Sequence, residues 1–294
     1  MVCLHYDAYL SLKLFLFSSG LLLVIHFLST PLRNTVKIHQ IYTHSELRNF
    51  TYLIELEDHS AIVLDPWNAE LVNELLHKKQ LSLTAIINTH EHWDHIQGNV
   101  ALVEEHGCEV WAHQNGQGKI PALSRTLKTD EIIALDTNTH LRVLDTPGHT
   151  EAHLCFVVVE QGKDTAIFTG DTLFNAGVGH CRSGGNAEVL YHTVMEQFYT
   201  LADEVTVYPG HDYLENNLRF SLSVEPDNTD AQHWLDKVMD SNVAEQPLTT
   251  CIGDEKKINT FFRLDNSTIR KNLNVMQASK KDVFIALRAL RDNW

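Results

Sequence analysis

Cysteine is scarce and unpatterned in this 294-residue chain. There are five, Cys3, Cys108, Cys155, Cys181 and Cys251, with no Cys-x-x-Cys pair. The odd count and wide spacing exclude a disulfide scaffold and a thiolate zinc site, and they fit a reducing compartment. Positive charge is also short: 23 Lys and Arg stand against 38 Asp and Glu, a formal net charge of -15. Such a surface repels polyphosphates and excludes sequence-independent nucleic-acid binding. No internal repeat and no low-complexity linker breaks the chain. With 44% hydrophobic and 21% charged residues, the composition is that of a folded globular protein and not of a disordered or collagen-like one. The length suits about one to two domains.

Long apolar runs are missing as well, apart from one near the start. Residues 14–28 are apolar except for Ser18, Ser19 and His26. This is shorter than the roughly 20 residues of a membrane span, and extending it back to Leu10 admits Lys13. A signal peptide wants a basic start and a small-residue cleavage site, and Ser29-Thr30-Pro31 is a poor one. Residues 1–35 therefore read as an extension with three origins open: a mistaken upstream start, a signal-anchor or a cleaved signal. The expected location is cytoplasmic, with membrane anchoring through residues 10–28 as the alternative.

From Lys37 onward, short apolar strands alternate with turns and helical segments. Residues 37–42, 50–57, 61–64, 83–88, 109–112, 141–144, 154–159, 165–168 and 205–208 read as strands. Residues 69–79, 96–106, 187–201, 217–224, 230–241 and 281–291 have helical spacing, with a loop around 247–253. The chain divides into an α/β part, residues 36–211, and a mostly helical part, residues 212–294.

What is abundant is histidine, 18 residues in all. Several stand directly after an apolar strand: His90, His92 and His95 with Asp94, then His149, His211 and the carboxylate Asp171. Strand C-termini in α/β sheets open onto one edge, so these residues converge. A single histidine or aspartate after a strand is ordinarily a turn residue. Three His and one Asp within six positions are different, because burying them unliganded would desolvate several polar groups. Imidazole and carboxylate suit zinc, iron and manganese. Five His and two Asp exceed one tetrahedral ion and suit two ions about 3.5–4 Å apart.

Thr89-His90-Glu91-His92-Trp93-Asp94-His95 resembles the HxHxDH signature of the metallo-β-lactamase superfamily. So do Thr146-Pro147-Gly148-His149, Gly170-Asp171-Thr172-Leu173-Phe174 and Pro209-Gly210-His211-Asp212-Tyr213. More narrowly, residues 216–220, 224–228 and 287–294 are similar to glyoxalase II, the hydroxyacylglutathione hydrolases. The resemblance implies an αββα sandwich with a C-terminal, mostly helical, substrate-binding domain. It implies two divalent metal ions, with His90, His92 and His149 on the first, Asp94, His95 and His211 on the second, and Asp171 bridging. Asp65 would orient a ligand, and Tyr213, Arg288 and Arg291 would contact substrate. The implied reaction is hydrolysis of a glutathione thioester, S-D-lactoylglutathione to D-lactate and glutathione, by a metal-bridging hydroxide, with Asp94 and Asp171 as the catalytic carboxylates. The protein would act as a monomer on a small-molecule substrate.

One stretch departs from that family. A Gly-Cys-Gly-Lys/Arg-aromatic segment is usual after its GDTLF, whereas this chain has Gly177-Val178-Gly179-His180-Cys181-Arg182. His180 stands for the basic residue, and Arg182 supplies charge from a shifted position or the carrier thiol differs. Two alternatives stay open: a persulfide dioxygenase-like oxidoreductase with one iron, or a hydrolase of another thioester or lactone.

Overall fold

The computed structural model describes residues 36–294, so the expectations for residues 1–35 lie outside the described residues. The first sheet is built from β1 (Lys37–Tyr42), β2 (Phe50–Glu55), β3 (Ser60–Leu64), β4 (Ser82–Ile87), β5 (Glu109–His113) and β6 (Arg125–Leu127), paired in that order. Its first three strands form an antiparallel meander, and the rest are parallel. Helices α1 (Ala69–Lys79), α2 (Trp93–Ile96) and α3 (Asn99–His106) lie between these strands. Then follow β7 (Ile132–Ala134), β8 (Thr139–Asp145), β9 (Leu154–Glu160), β10 (Lys163–Gly170), the ribbon β11 (Leu173–Phe174) and β12 (Gly177–Val178), α4 (Ala187–His192) and β13 (Thr206–Pro209). The C-terminal part holds α5 (Leu214–Val224), α6 (Thr229–Met239), β14 (Thr250–Cys251), α7 (Ile252–Ile258), α8 (Ser267–Asn272) and α9 (Lys280–Arg291). The second sheet runs β14-β13-β10-β9-β8-β7.

Strand periodicity explains the layers, since alternate side chains take opposite faces. From β2 and β3, Tyr52, Ile54, Ile62 and Leu64 face Phe156, Val158, Ala166 and Phe168 of β9 and β10 in a core between the sheets. The intervening Leu53, Ala61 and Val63 pack against Val72 and Leu76 of α1 and Leu102 of α3. On the far side, Cys155, Val157 and Ile167 pack under Leu190 of α4 and Val283, Phe284 and Leu287 of α9. The result is a helix–sheet–sheet–helix sandwich, as expected, with the C-terminal helices completing its outer layer.

Three local expectations differ. The helix expected over residues 96–106 is two helices, α2 and α3. The chain breaks at Gly98, whose N–H donates to the Pro66 carbonyl at 2.7 Å; a Cβ there would meet that oxygen. The helix expected over residues 187–201 passes into wider π-type turns over Thr193–Phe198. The loop expected at residues 247–253 contains β14 and the start of α7, so the helical part lends an edge strand to the second sheet.

Glu255 of α7 anchors that connection. It is fully buried and accepts hydrogen bonds from the Ala176 N–H, Thr250 Oγ1 and Asn259 Nδ2. Burial pushes its carboxyl from 4.5 up to about 7. The folded state thus holds this proton more tightly than the unfolded chain. The associated stabilisation is complete below pH ~4.5 and is lost as pH rises through 7, at most about 3 kcal/mol. Urea unfolding at pH 5.5 and pH 8 should show wild type losing the remaining part of this increment, about 2 kcal/mol, and Glu255→Gln losing much less.

Candidate metal centre

The sequence places polar residues after strand ends, and the fold brings those ends to one edge of the sandwich. Asp65 follows β3, His90–His95 follow β4, His149 follows β8, Asp171 follows β10 and His211 follows β13. Two donor groups form there among the described residues. His90, His92, His149 and Asp171 make one, and Asp94, His95 and His211 make the other; within each, the donor atoms lie within 4.8 Å of one another. In the first, His92 Nδ1 is 3.0 Å from both His90 Nε2 and His149 Nε2, and Asp171 Oδ2 is 3.6 Å from His149 Nε2. In the second, His211 Nε2 is 3.3 Å from His95 Nε2 and from Asp94 Oδ2. Asp171 adjoins this group too, at 3.3 Å from His95 and 3.2 Å from His211.

The other nitrogen of each ring fixes its tautomer. His149 Nδ1 donates to the His180 carbonyl at 2.7 Å, His211 Nδ1 to the Leu47 carbonyl at 2.8 Å, and His92 Nε2 to the Ser183 carbonyl at 3.2 Å. A carbonyl can only accept, so the proton sits on that nitrogen and the inward one keeps its lone pair. His95 Nδ1 faces the Asp65 carboxylate at 3.0 Å with the same consequence. Thr89 Oγ1 donates to Asp65 Oδ2, which makes it the acceptor for His90 Nδ1. Asp65 therefore orients two rings at once.

Five lone pairs and two carboxylates thus converge in a site where His90, His95, His149, Asp94, Asp171 and His211 are all buried. Such an arrangement repels itself unless a cation fills it. Asp171 Oδ1 is buried without a hydrogen-bond partner. Tetrahedral ligands about 2.0–2.1 Å from a zinc ion lie roughly 3.4 Å apart, close to the donor spacings above. The donor set fits divalent metal on these grounds. The carboxylates make this a place that favours positive charge, proton or metal: burial opposes charge on His211, yet the adjacent Asp171 raises its pKa to about 9. Burial likewise works against Asp171, and His211 and His95 hold it well below the usual carboxylate range.

The residues expected to touch substrate are placed less uniformly. Tyr213 stacks on His211, rings parallel at 4.9 Å, beside Phe174. The His180 ring lies 5.0 Å from that of His149. Arg182 is exposed, with Nε 3.9 Å from Asp292 Oδ1. Arg291 is half-buried over Phe220 and Trp294. Arg288 is buried and donates to the Val178 and Gly179 carbonyls and to Asp292.

Three supporting residues escape the sequence reading. Asn49 Nδ2 donates to the Asp94 carboxylate at 2.9 Å. Thr89 links Asp65 to His90. His153 is buried, stacks on His90 and accepts from the Asp171 N–H at 3.2 Å. Only His153 carries a signal, a second imidazole four positions after His149.

Replacing Asp65 by Asn should weaken metal uptake by about 10–100-fold: Oδ2 accepts from His95 Nδ1 and Thr89 Oγ1 while Oδ1 accepts from the Thr89 N–H, so an amide would turn its NH2 toward one of these donors. Chelator competition checks this. Gly210→Ala should also lose metal: the backbone tolerates Ala, but its Cβ would lie 2.4 Å from Asp171 Oδ1.

Comparison with known proteins gives the family. The metallo-beta-lactamase superfamily model matches residues 45–211, and the model of the hydroxyacylglutathione hydrolase C-terminus matches residues 212–294. The hydroxyacylglutathione hydrolase of Polaromonas sp. is 39% identical over 264 residues, covering 87% of this chain and 99% of that one. That of Nitrosococcus oceani is 38% identical with the same coverage. The crystal structure of ETHE1 from Myxococcus xanthus is similar in fold, with a TM-score of 0.59 and 25% identity over 87% of this chain and 97% of that one. This chain belongs to the hydroxyacylglutathione hydrolase family of the metallo-β-lactamase superfamily.

Proposed function

We propose that this enzyme hydrolyses a glutathione thioester, S-D-lactoylglutathione, to D-lactate and glutathione at a pair of divalent metal ions. The observation that carries the reading is the junction of two complete donor groups at Asp171, together with the hydroxyacylglutathione hydrolase relatives. His90, His92 and His149 would hold one ion, Asp94, His95 and His211 the other, and Asp171 both. Zinc is the proposed metal, and the same donors accommodate iron or manganese. Bound metal would supply hydroxide at neutral pH and polarise the thioester carbonyl.

The protein's own groups set the geometry of that chemistry. Asp94 and Asp171 are the carboxylates facing the reacting atoms, and Asn49 holds Asp94 in one orientation. Tyr213, stacked on His211, would present its hydroxyl to the bound substrate. The thiolate leaves without an acid to protonate it, because a thiol ionises near pH ~8.5. Glutathione is anionic and this chain carries a net charge of -15. Arg182, whose backbone N–H donates to His180 Nδ1 at 3.3 Å, and Arg291 would supply the local positive charge. Residues 36–211 would then carry the chemistry and residues 212–294 the substrate side, in a monomer.

No helix among the described residues is long and apolar enough to cross a membrane. A persulfide dioxygenase-like enzyme with one iron would need only one donor group, so Asp94, His95 and His211 favour the hydrolase.

Metal analysis and two assays test the proposal. Wild type should hold two ions per chain and turn over S-D-lactoylglutathione, with no oxygen uptake on glutathione persulfide. His95→Ala should lose one ion and about 10²–10³ in kcat, the scale of a lost oxyanion stabiliser. One iron per chain with oxygen consumption would falsify the hydrolase.

A further inference from the structure

Arg288 stands out among the basic residues because four of its five N–H donors already have partners within the protein. Its side chain sits in the interior, under the ring of Phe261. Nη1 donates to the Val178 carbonyl at 2.9 Å and to the Gly179 carbonyl at 3.1 Å. Nε donates to Asp292 Oδ1 at 3.1 Å, and Nη2 lies 2.9 Å from the same oxygen. Asp292 is one helical turn on and caps α9, so the end of this helix presents both the guanidinium and the carboxylate that aims it.

The backbone that Arg288 grips is the end of β12, which lies against the metal centre. At Gly179 a Cβ would fall 1.9 Å from the Asp171 carbonyl and 3.0 Å from His149 Nδ1, so no side chain fits there. The next residue supplies the carbonyl, His180 O, that accepts from His149 Nδ1 at 2.7 Å. A short path therefore runs from the C-terminal helix to one ring: Arg288 to the Val178 and Gly179 carbonyls, along one peptide to His180, and from its carbonyl to His149. His95 and His211 are oriented instead by Asp65 and by the Leu47 carbonyl, neither of which Arg288 touches.

We infer that Arg288, aimed by Asp292, is a positioning residue for His149: it fixes the Val178–Gly179–His180 backbone and thereby the ring's direction and tautomer. The inference rests on the two-metal reading above. It separates the two arginines of α9, leaving Arg291 for substrate and assigning Arg288 to the metal centre.

The test uses the full chain, with zinc as the probe. Zinc affinities of wild type, Arg288→Met, Arg288→Lys and Asp292→Asn are measured by chelator competition, alongside kcat, KM for S-D-lactoylglutathione and thermal unfolding. Arg288→Met should weaken one zinc ion by about 10–100-fold and leave the other as in wild type, lowering kcat with KM unchanged. Arg288→Lys should recover part of the loss, since an ammonium can still donate to these carbonyls. Asp292→Asn should change in the same direction by less, and it carries the test if Arg288→Met does not fold. A rise in KM with both zinc affinities intact would make Arg288 a substrate contact and overturn the inference. Equal weakening of both ions, in step with a lower unfolding temperature, would reduce it to a general fold contact. Wild type binding a single ion would overturn the two-metal reading itself, a result seen before any variant is made.

Discussion

Inward-facing lone pairs are the constraint on which the structure turns. Imidazole nitrogens about 3 Å apart, each without a proton between them, repel in a low-dielectric site. Nothing local in His90, His92 or His149 would keep them so. They stay because every ring is tied at its far nitrogen to a carbonyl, a hydroxyl or a carboxylate, and those acceptors are held in turn by strand ends. A cation turns the repulsion into attraction.

This division between side chain and backbone accounts for the departure near Cys181. The stretch around it contributes to the site through the carbonyls of His180 and Ser183, which orient His149 and His92. A carbonyl is independent of the side chain it carries. His180 and Arg182 can therefore differ from the family's usual residues without disturbing the donor groups, whereas Gly179 cannot, because Asp171 and His149 occupy the space a Cβ would need.

The same reasoning explains what was legible in the sequence. The central strands of both sheets read as short, nearly continuous apolar runs because one face meets the opposite sheet and the other meets helices, so both faces are buried. The seven donors were readable because each follows such a strand, and His90–His95 are too polar for a structural role in so buried a place. Asn49 and Thr89 were not readable: a single amide or hydroxyl beside a strand has the same appearance whether or not a carboxylate depends on it. The break at Gly98 depends on the carbonyl of Pro66, a contact between distant positions. The resemblance pairs Arg288 and Arg291 as substrate contacts, and the fold gives them different surroundings: Arg288 is buried against β12 while Arg291 lies half-exposed over Trp294.

That split bears on why the C-terminal part is woven into the second sheet. Its helices share the outer core through Phe220, Phe261 and Phe284, and β14 extends the sheet beside β13, the strand that leads into His211. Glu255 ties the same segment to Ala176, in the turn just after Asp171 and the ribbon strand β11. A substrate-side part attached by a flexible linker could bind a thiol carrier, but it could not hold that carrier's acyl carbon at a fixed distance from Asp171. Sharing a sheet, a core and a buried carboxylate joins the two parts in one frame, so that residues on the C-terminal helices keep a fixed register with the donor residues at the strand ends.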